Sequence, residues 1–152
     1  MRLVGQISPY TCPLACLESF LFDIGQRITQ EEIIRLHPDI CIPKDSGKRH
    51  EIGALPTREF DELCRRLLIH CQTGKDHRQE VLEPLFSGLQ PHATVVLLIN
   101  YPTGRHMVRL AAIEKPGSWI VMNPEFLRPH FSPLLFTDLT SWDFEFCILT
   151  RS

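Results

Sequence analysis

The feature that most constrains this chain is a run of three apolar segments joined by two tight turns, between residues 93 and 124. "ATVVLLIN" (93–100) reads as a buried strand, "YPTGR" as a turn and "HMVRLAAI" (106–113) as a second strand. "EKPGS" then reads as a hairpin turn, and "WIVMNP" as the returning strand, stopped by Pro124. Segments this short, joined by turns this tight, are expected to pair as antiparallel neighbours. "FEFCILTR" (144–151) carries the same signal and is taken as a last strand.

The first half is written in a different period. Leu14, Leu17, Leu21 and Ile24 recur at helical spacing, widened by Cys16 and Phe20, so a core-facing helix is expected. It should begin at Cys12 or Pro13, because proline is tolerated where its missing N–H has no partner to lose, and Gly25 fits just past its end. Thr29 with Glu32 forms a capping-box pattern that opens a short helix ended by Pro38. Residues 39–56 show no period and are expected to form a long loop. Thr57 is expected to cap a third helix with Phe60, Leu63, Cys64 and Leu67 inward. "LLIHCQ" (67–72) reads as a short strand, and "RQEVLEPLFSGL" as one or two helical turns disturbed by Pro84. Helices first and an antiparallel sheet second make an α+β fold, in one domain over residues 1–152.

Composition excludes several classes. Net charge is −2 and the basic residues are scattered, so no nucleic-acid or anionic-membrane footprint is expected. No apolar run reaches the ~18 residues needed to span a bilayer, and the start lacks a hydrophobic region of signal-peptide length. The expectation is a cytoplasmic protein, or one exported without a cleavable signal. Six cysteines include no CxxC pair, and the histidines share no metal spacing. Reduced, mostly core cysteines are expected, with no cofactor and no metal; oligomeric state is not legible.

Three residues stand out for chemistry. Cys12 sits at a helix start, where unpaired N–H groups favour an anion, so its thiol is expected to be lowered in pKa. His106 opens a predicted central strand. Asn123 ends the returning strand, and in a hairpin the two ends meet, so its amide oxygen could orient the imidazole. Each residue alone is more often structural than catalytic; their joint occurrence is what carries weight.

The pattern resembles the papain-like cysteine peptidases, and within them the double-glycine leader peptidases that mature bacteriocins. "QISPYTCPLACL" is similar to that family's "Q-x-x-x-x-D-C-G-x-A-C-L", "HMVRL" to its "H-F-V-V-L", and "NP" to its "D-P". Thr11, Pro13 and Asn123 stand where the family has aspartate, glycine and aspartate. The resemblance implies a papain-like fold with N-terminal helices packed on a C-terminal antiparallel sheet. It implies Cys12 as nucleophile, His106 as base, Asn123 as orienting residue and Gln6 as oxyanion donor. The chain as given carries no transporter segment, so a stand-alone form is expected. The implied activity is a cysteine hydrolase on a peptide or protein amide, a peptidase before a glutamine deamidase or acyltransferase. A peptide- or protein-binding module that has lost the chemistry is the reading from another class.

Overall fold

A computed structural model describes residues 1–8, 11–41 and 57–151. Helices α1 (Cys12–Asp23), α2 (Gln30–Leu36), α3 (Pro38–Cys41) and α4 (Thr57–Arg66) precede strand β1 (Ile69–Gly74) and helix α5 (Gln79–Ser87). Strands β2 (Ala93–Tyr101), β3 (Gly104–Lys115), β4 (Ser118–Asn123) and β5 (His130–Leu135) follow, then helix α6 (Phe136–Trp142) and strand β6 (Phe144–Arg151). The strands form one sheet in the order β1-β6-β2-β3-β4-β5, every pair antiparallel.

The sheet separates two apolar layers. On one face Leu14, Leu17 and Leu21 of α1, Ile33 of α2 and Leu63 of α4 pack on Val96, Leu98, Met107 and Met122. On the other, Leu82 and Phe86 of α5 and Phe136 and Leu139 of α6 pack on Val95, Leu97, Ile99, Trp119 and Val121. Alternate residues of β2 serve both layers, which is why "VVLLI" is continuously apolar where a one-sided strand would alternate.

Local chemistry explains the helix ends. Pro13 occupies the first turn of α1. At its other end Gly25 adopts φ 87°, its N–H bonds to Phe22 O and that of Gln26 to Leu21 O, the paired bonds of a Schellman stop. Both halves of the Thr29–Glu32 capping box form.

Several expected boundaries move. Residues 38–41 form a helical turn, so the expected loop over 39–56 begins later, and the rest of that loop, 42–56, lies outside the described residues. The cap role given to the Thr57 side chain also lies outside them. The strand expected from 67 starts at Ile69, because Leu68 turns at φ 59° and reverses the chain after α4. Helix α5 runs unbroken through Pro84. Strand β5 and helix α6 had no counterpart in the sequence reading. Pro133 hides β5, which survives because it is an edge strand where a missing N–H can face solvent.

Candidate active site

Of the four residues expected to act together, His106 and Asn123 meet at the open end of the β3–β4 hairpin. The His106 and Asn123 side chains are joined directly, His106 Nε2 lying 2.7 Å from Asn123 Oδ1. Their meeting depends on two irregularities in the hairpin. Lys115 faces Ser118, but the register shifts between Ile113 and Lys115 and again between Leu110 and Ala112, so that Arg109 faces Met122. An unshifted hairpin from Lys115↔Ser118 would set Asn123 opposite Leu110, and a single shift would set it opposite Arg109, on the other face. Two shifts carry it opposite Val108, diagonal to His106 on the same face and within side-chain reach.

Cys12 is the first residue of α1 and is 3% exposed. Its Sγ accepts the backbone N–H of Met107, the residue after His106, at 3.4 Å. Cys16, one turn further on, donates its thiol to the carbonyl of the same Met107 at 3.7 Å. Two sulfurs thus grip the N–H and the C=O of one residue of β3 and hold the start of α1 beside the imidazole strand.

Gln6 is held by a device that the sequence reading missed. Its backbone N–H donates to Pro124 O, just beyond Asn123, at 2.9 Å. On either side, Gln30 of α2 donates to Gly5 O at 2.8 Å and accepts from Ile7 N at 3.2 Å. Gln30 is buried, and this two-point clamp fixes the segment that carries Gln6. A buried glutamine one residue past a capping threonine was the available signal. The Gln6 amide donates one N–H to Ser8 O at 2.7 Å, and its Oε1 is buried without a hydrogen-bond partner among the described residues.

Arg109 was also missed. It is 4% exposed and donates to Thr94, to Ser19 and to Asp23, at 2.8, 2.8 and 2.7 Å. Ser19 and Asp23 belong to α1, so one buried cation locks that helix onto β2 and β3 at the end away from Cys12.

The electrostatics overturn one expectation. Cys12 is not lowered: burial pushes its thiol up to about 11, against the hydrogen bonds from Met107 and from its own backbone, which lower it. Burial also pulls the His106 imidazole below its ordinary value, opposed by the bond to Asn123 and the charge of Glu125. At neutral pH the resting pair is therefore a thiol and a neutral imidazole. With Asn123 Oδ1 accepting at Nε2, the neutral ring carries its lone pair on Nδ1, the nitrogen that can take a proton.

An open depression of about 430 Å³ lies beside the imidazole, lined by Tyr101, Thr103, Gly104, Arg105, His106, Asn123 and Glu125. Tyr101 and Glu125 were not singled out in the sequence. Among the described residues no group of side chains could hold a metal ion, and no helix is long and apolar enough to cross a membrane.

The fold is that of double-glycine peptidase domains, of papain-like type. The chain is similar to the peptidase domain of Streptococcus ComA, a bifunctional ABC transporter involved in a quorum-sensing pathway. The TM-score is 0.71 and the identity 16%, over 99% of this chain and 98% of that one. It is also similar to a double-glycine motif protease from an AMS/PCAT transporter, solved in complex with the leader peptide. Here the TM-score is 0.68 and the identity 12%, over 99% of this chain and 91% of that one. By sequence, no protein-family profile and no curated protein matches.

Proposed function

We propose that this protein is a cysteine hydrolase that cleaves a peptide or protein amide. The observation that carries the reading is the His106–Asn123 bond at 2.7 Å, with the Cys12 sulfur on the adjacent peptide unit. Cys12 Sγ attacks the amide carbonyl carbon as its proton passes to His106 Nδ1. Asn123 holds the ring so that Nδ1 is the basic nitrogen. The second N–H of the Gln6 amide is the donor for the oxyanion, its first being committed to Ser8. Collapse expels the amine with the proton from His106, and water, deprotonated by the same nitrogen, releases the acid from the thioester. Because the thiol rests protonated, the proton transfer belongs to the attack and does not precede it.

A leader peptide is bound in one structural neighbour, so peptides bearing a double-glycine motif are the first substrates to test. The test is product analysis by mass spectrometry with wild type, Cys12→Ser and His106→Ala. Cleavage by wild type and its loss in both variants is expected. Cleavage that survives in Cys12→Ser removes Cys12 from the chemistry. A second reading, a peptide-binding module, draws on the burial of Cys12 and on Pro13 beside it. It forecasts that wild type and Cys12→Ser bind peptide equally and that neither cleaves.

A further inference from the structure

A second set of thiols lies at the opposite edge of the sheet. Cys71 is on β1, the outermost strand, and is partly exposed. Cys64 of α4 and Cys147 of β6 are buried. In the β1–β6 register Cys71 faces Leu149 while Cys147 faces Thr73, so the two cysteines are diagonal neighbours on one face. That face carries α4, and Cys64 and Cys147 belong to the core layer against which Cys71 packs. Cys71 therefore has two buried thiols, Cys64 and Cys147, as neighbours on its inner side.

We infer that Cys71 is a reactive thiol that exchanges with low-molecular-weight disulfides and passes the bond to Cys64, a redox-modification site separate from Cys12. Two S–H groups on the same face are placed to donate to the Cys71 sulfur once it ionises, and donors stabilise a thiolate as they do any anion. The pKa directions agree. Donation from Cys147 and then from Cys64 holds the Cys71 thiol below its ordinary value, against its partial burial, and the same coupling pushes Cys64 and Cys147 up. Cys71 is thus both the thiol that ionises first and the one that solvent can reach.

The exchange balances as follows. The Cys71 thiolate attacks one sulfur of R–S–S–R, forming a mixed disulfide and expelling RS⁻, which takes up a proton. Cys64 then attacks the Cys71 sulfur, losing its own proton to the second departing thiol. Two protein thiols are oxidised and one small disulfide is reduced to two RSH. Cys64 is assigned as the second partner because diagonal neighbours across antiparallel strands have Cα atoms ~7–8 Å apart. That is beyond the ~4.4–6.8 Å of ordinary disulfides. Cys64 instead approaches from the helix layer. The resulting bond would tie the end of α4 to the edge strand.

The experiment uses the full chain, folded, with oxidised glutathione as probe and peptide mapping as readout. Limiting iodoacetamide at neutral pH should label Cys71 at least about tenfold faster than Cys12, Cys64 or Cys147. Oxidised glutathione should give a transient glutathione adduct on Cys71 and then a Cys64–Cys71 disulfide. Cys64→Ser should stop the reaction at the adduct, with circular dichroism checking the fold. The same mapping on Cys12→Ser should be unchanged, so this result does not depend on the hydrolase reading. Label on Cys71 no faster than on the same cysteine in urea would overturn the proposal. So would an adduct that never resolves in the wild type, or one that resolves onto Cys147.

Discussion

Cys12 and Cys71 invert the usual expectation for cysteine reactivity. Cys12 stands at a helix start, the position that sequence reasoning favours for a thiolate, and its thiol is held up near 11. Cys71 stands in an edge strand with no helix dipole, and its thiol is held down. The difference is one of magnitude. A helix terminus supplies about 0.3–1 kcal/mol, reaching ~2 in partly buried geometry. Full burial of an ionisable group can cost up to ~3–5 pKa units, several times more. Position on a helix therefore decides little until exposure is known, and a partly exposed thiol with S–H neighbours can ionise before a buried one at a helix start.

The sharpest test of this comparison is the Cys12 chemistry. Cys12→Ser should lower peptide cleavage by more than about 10³-fold with a melting temperature near that of wild type. Cys71→Ser should leave cleavage unchanged. A Cys71→Ser enzyme that fails to cleave while still folded would merge the two sites and break the contrast.

Next in size is Arg109→Ala. Removing the cation takes a charged partner from Asp23 and a donor from Ser19 and Thr94, and should cost about 3–5 kcal/mol in chemical denaturation. If burial is what raises Cys12, loosening α1 in this way should also speed its alkylation, while Cys71 is unaffected.

Gln6→Ala should slow turnover by about 10²–10³-fold and change stability little. Gln30→Ala should slow it as well through Gln6, and substrate KM should move less than kcat. Full activity in Gln6→Ala would end its oxyanion role.

The pH dependence separates the two ionisable site residues by sign. His106 sits below its ordinary 6.5 in the folded state, so the unfolded chain binds more protons just under that value. Its stabilising contribution is complete above about 6.5 and fades as pH falls through the lowered value. Cys12, raised from 9.0 to about 11, acts at the other end, with stability falling as pH rises across that interval. Alkylation of Cys12 should climb with pH through the same interval, whereas that of Cys71 should rise at lower pH.

The smallest effect is expected at Thr29→Ala, which removes one half of the capping box and should cost about 1 kcal/mol. Both thiols should keep their wild-type alkylation rates, making it the control for general destabilisation.

Much of this was legible because local rules sufficed. Short apolar runs and the turn residues between them marked β2, β3, β4 and β6, and the apolar stripe of α1 is buried where its spacing placed it. The Schellman stop and the capping box need only residues a few positions apart. The missed elements were those whose local signal is weak. Pro133 masks β5, and α6 is a seven-residue helix without a capping side chain. The polar residues that fix the site, Gln30 and Arg109, look like surface residues in sequence. Only partners far along the chain make their burial tolerable.

By itself the sequence determined the α+β order, a helix start at Cys12 or Pro13 and the pairing of a strand near His106 with one ending at Asn123. The tertiary structure decided how those residues meet. Two one-residue register shifts set Asn123 diagonal to His106, and neither leaves a mark in apolar patterning, because each changes which residues face one another without changing which are apolar. Packing also decided the state of the thiols. A thiol's ionisation depends on the water it loses and the donors it meets, and both are set by segments tens of residues away.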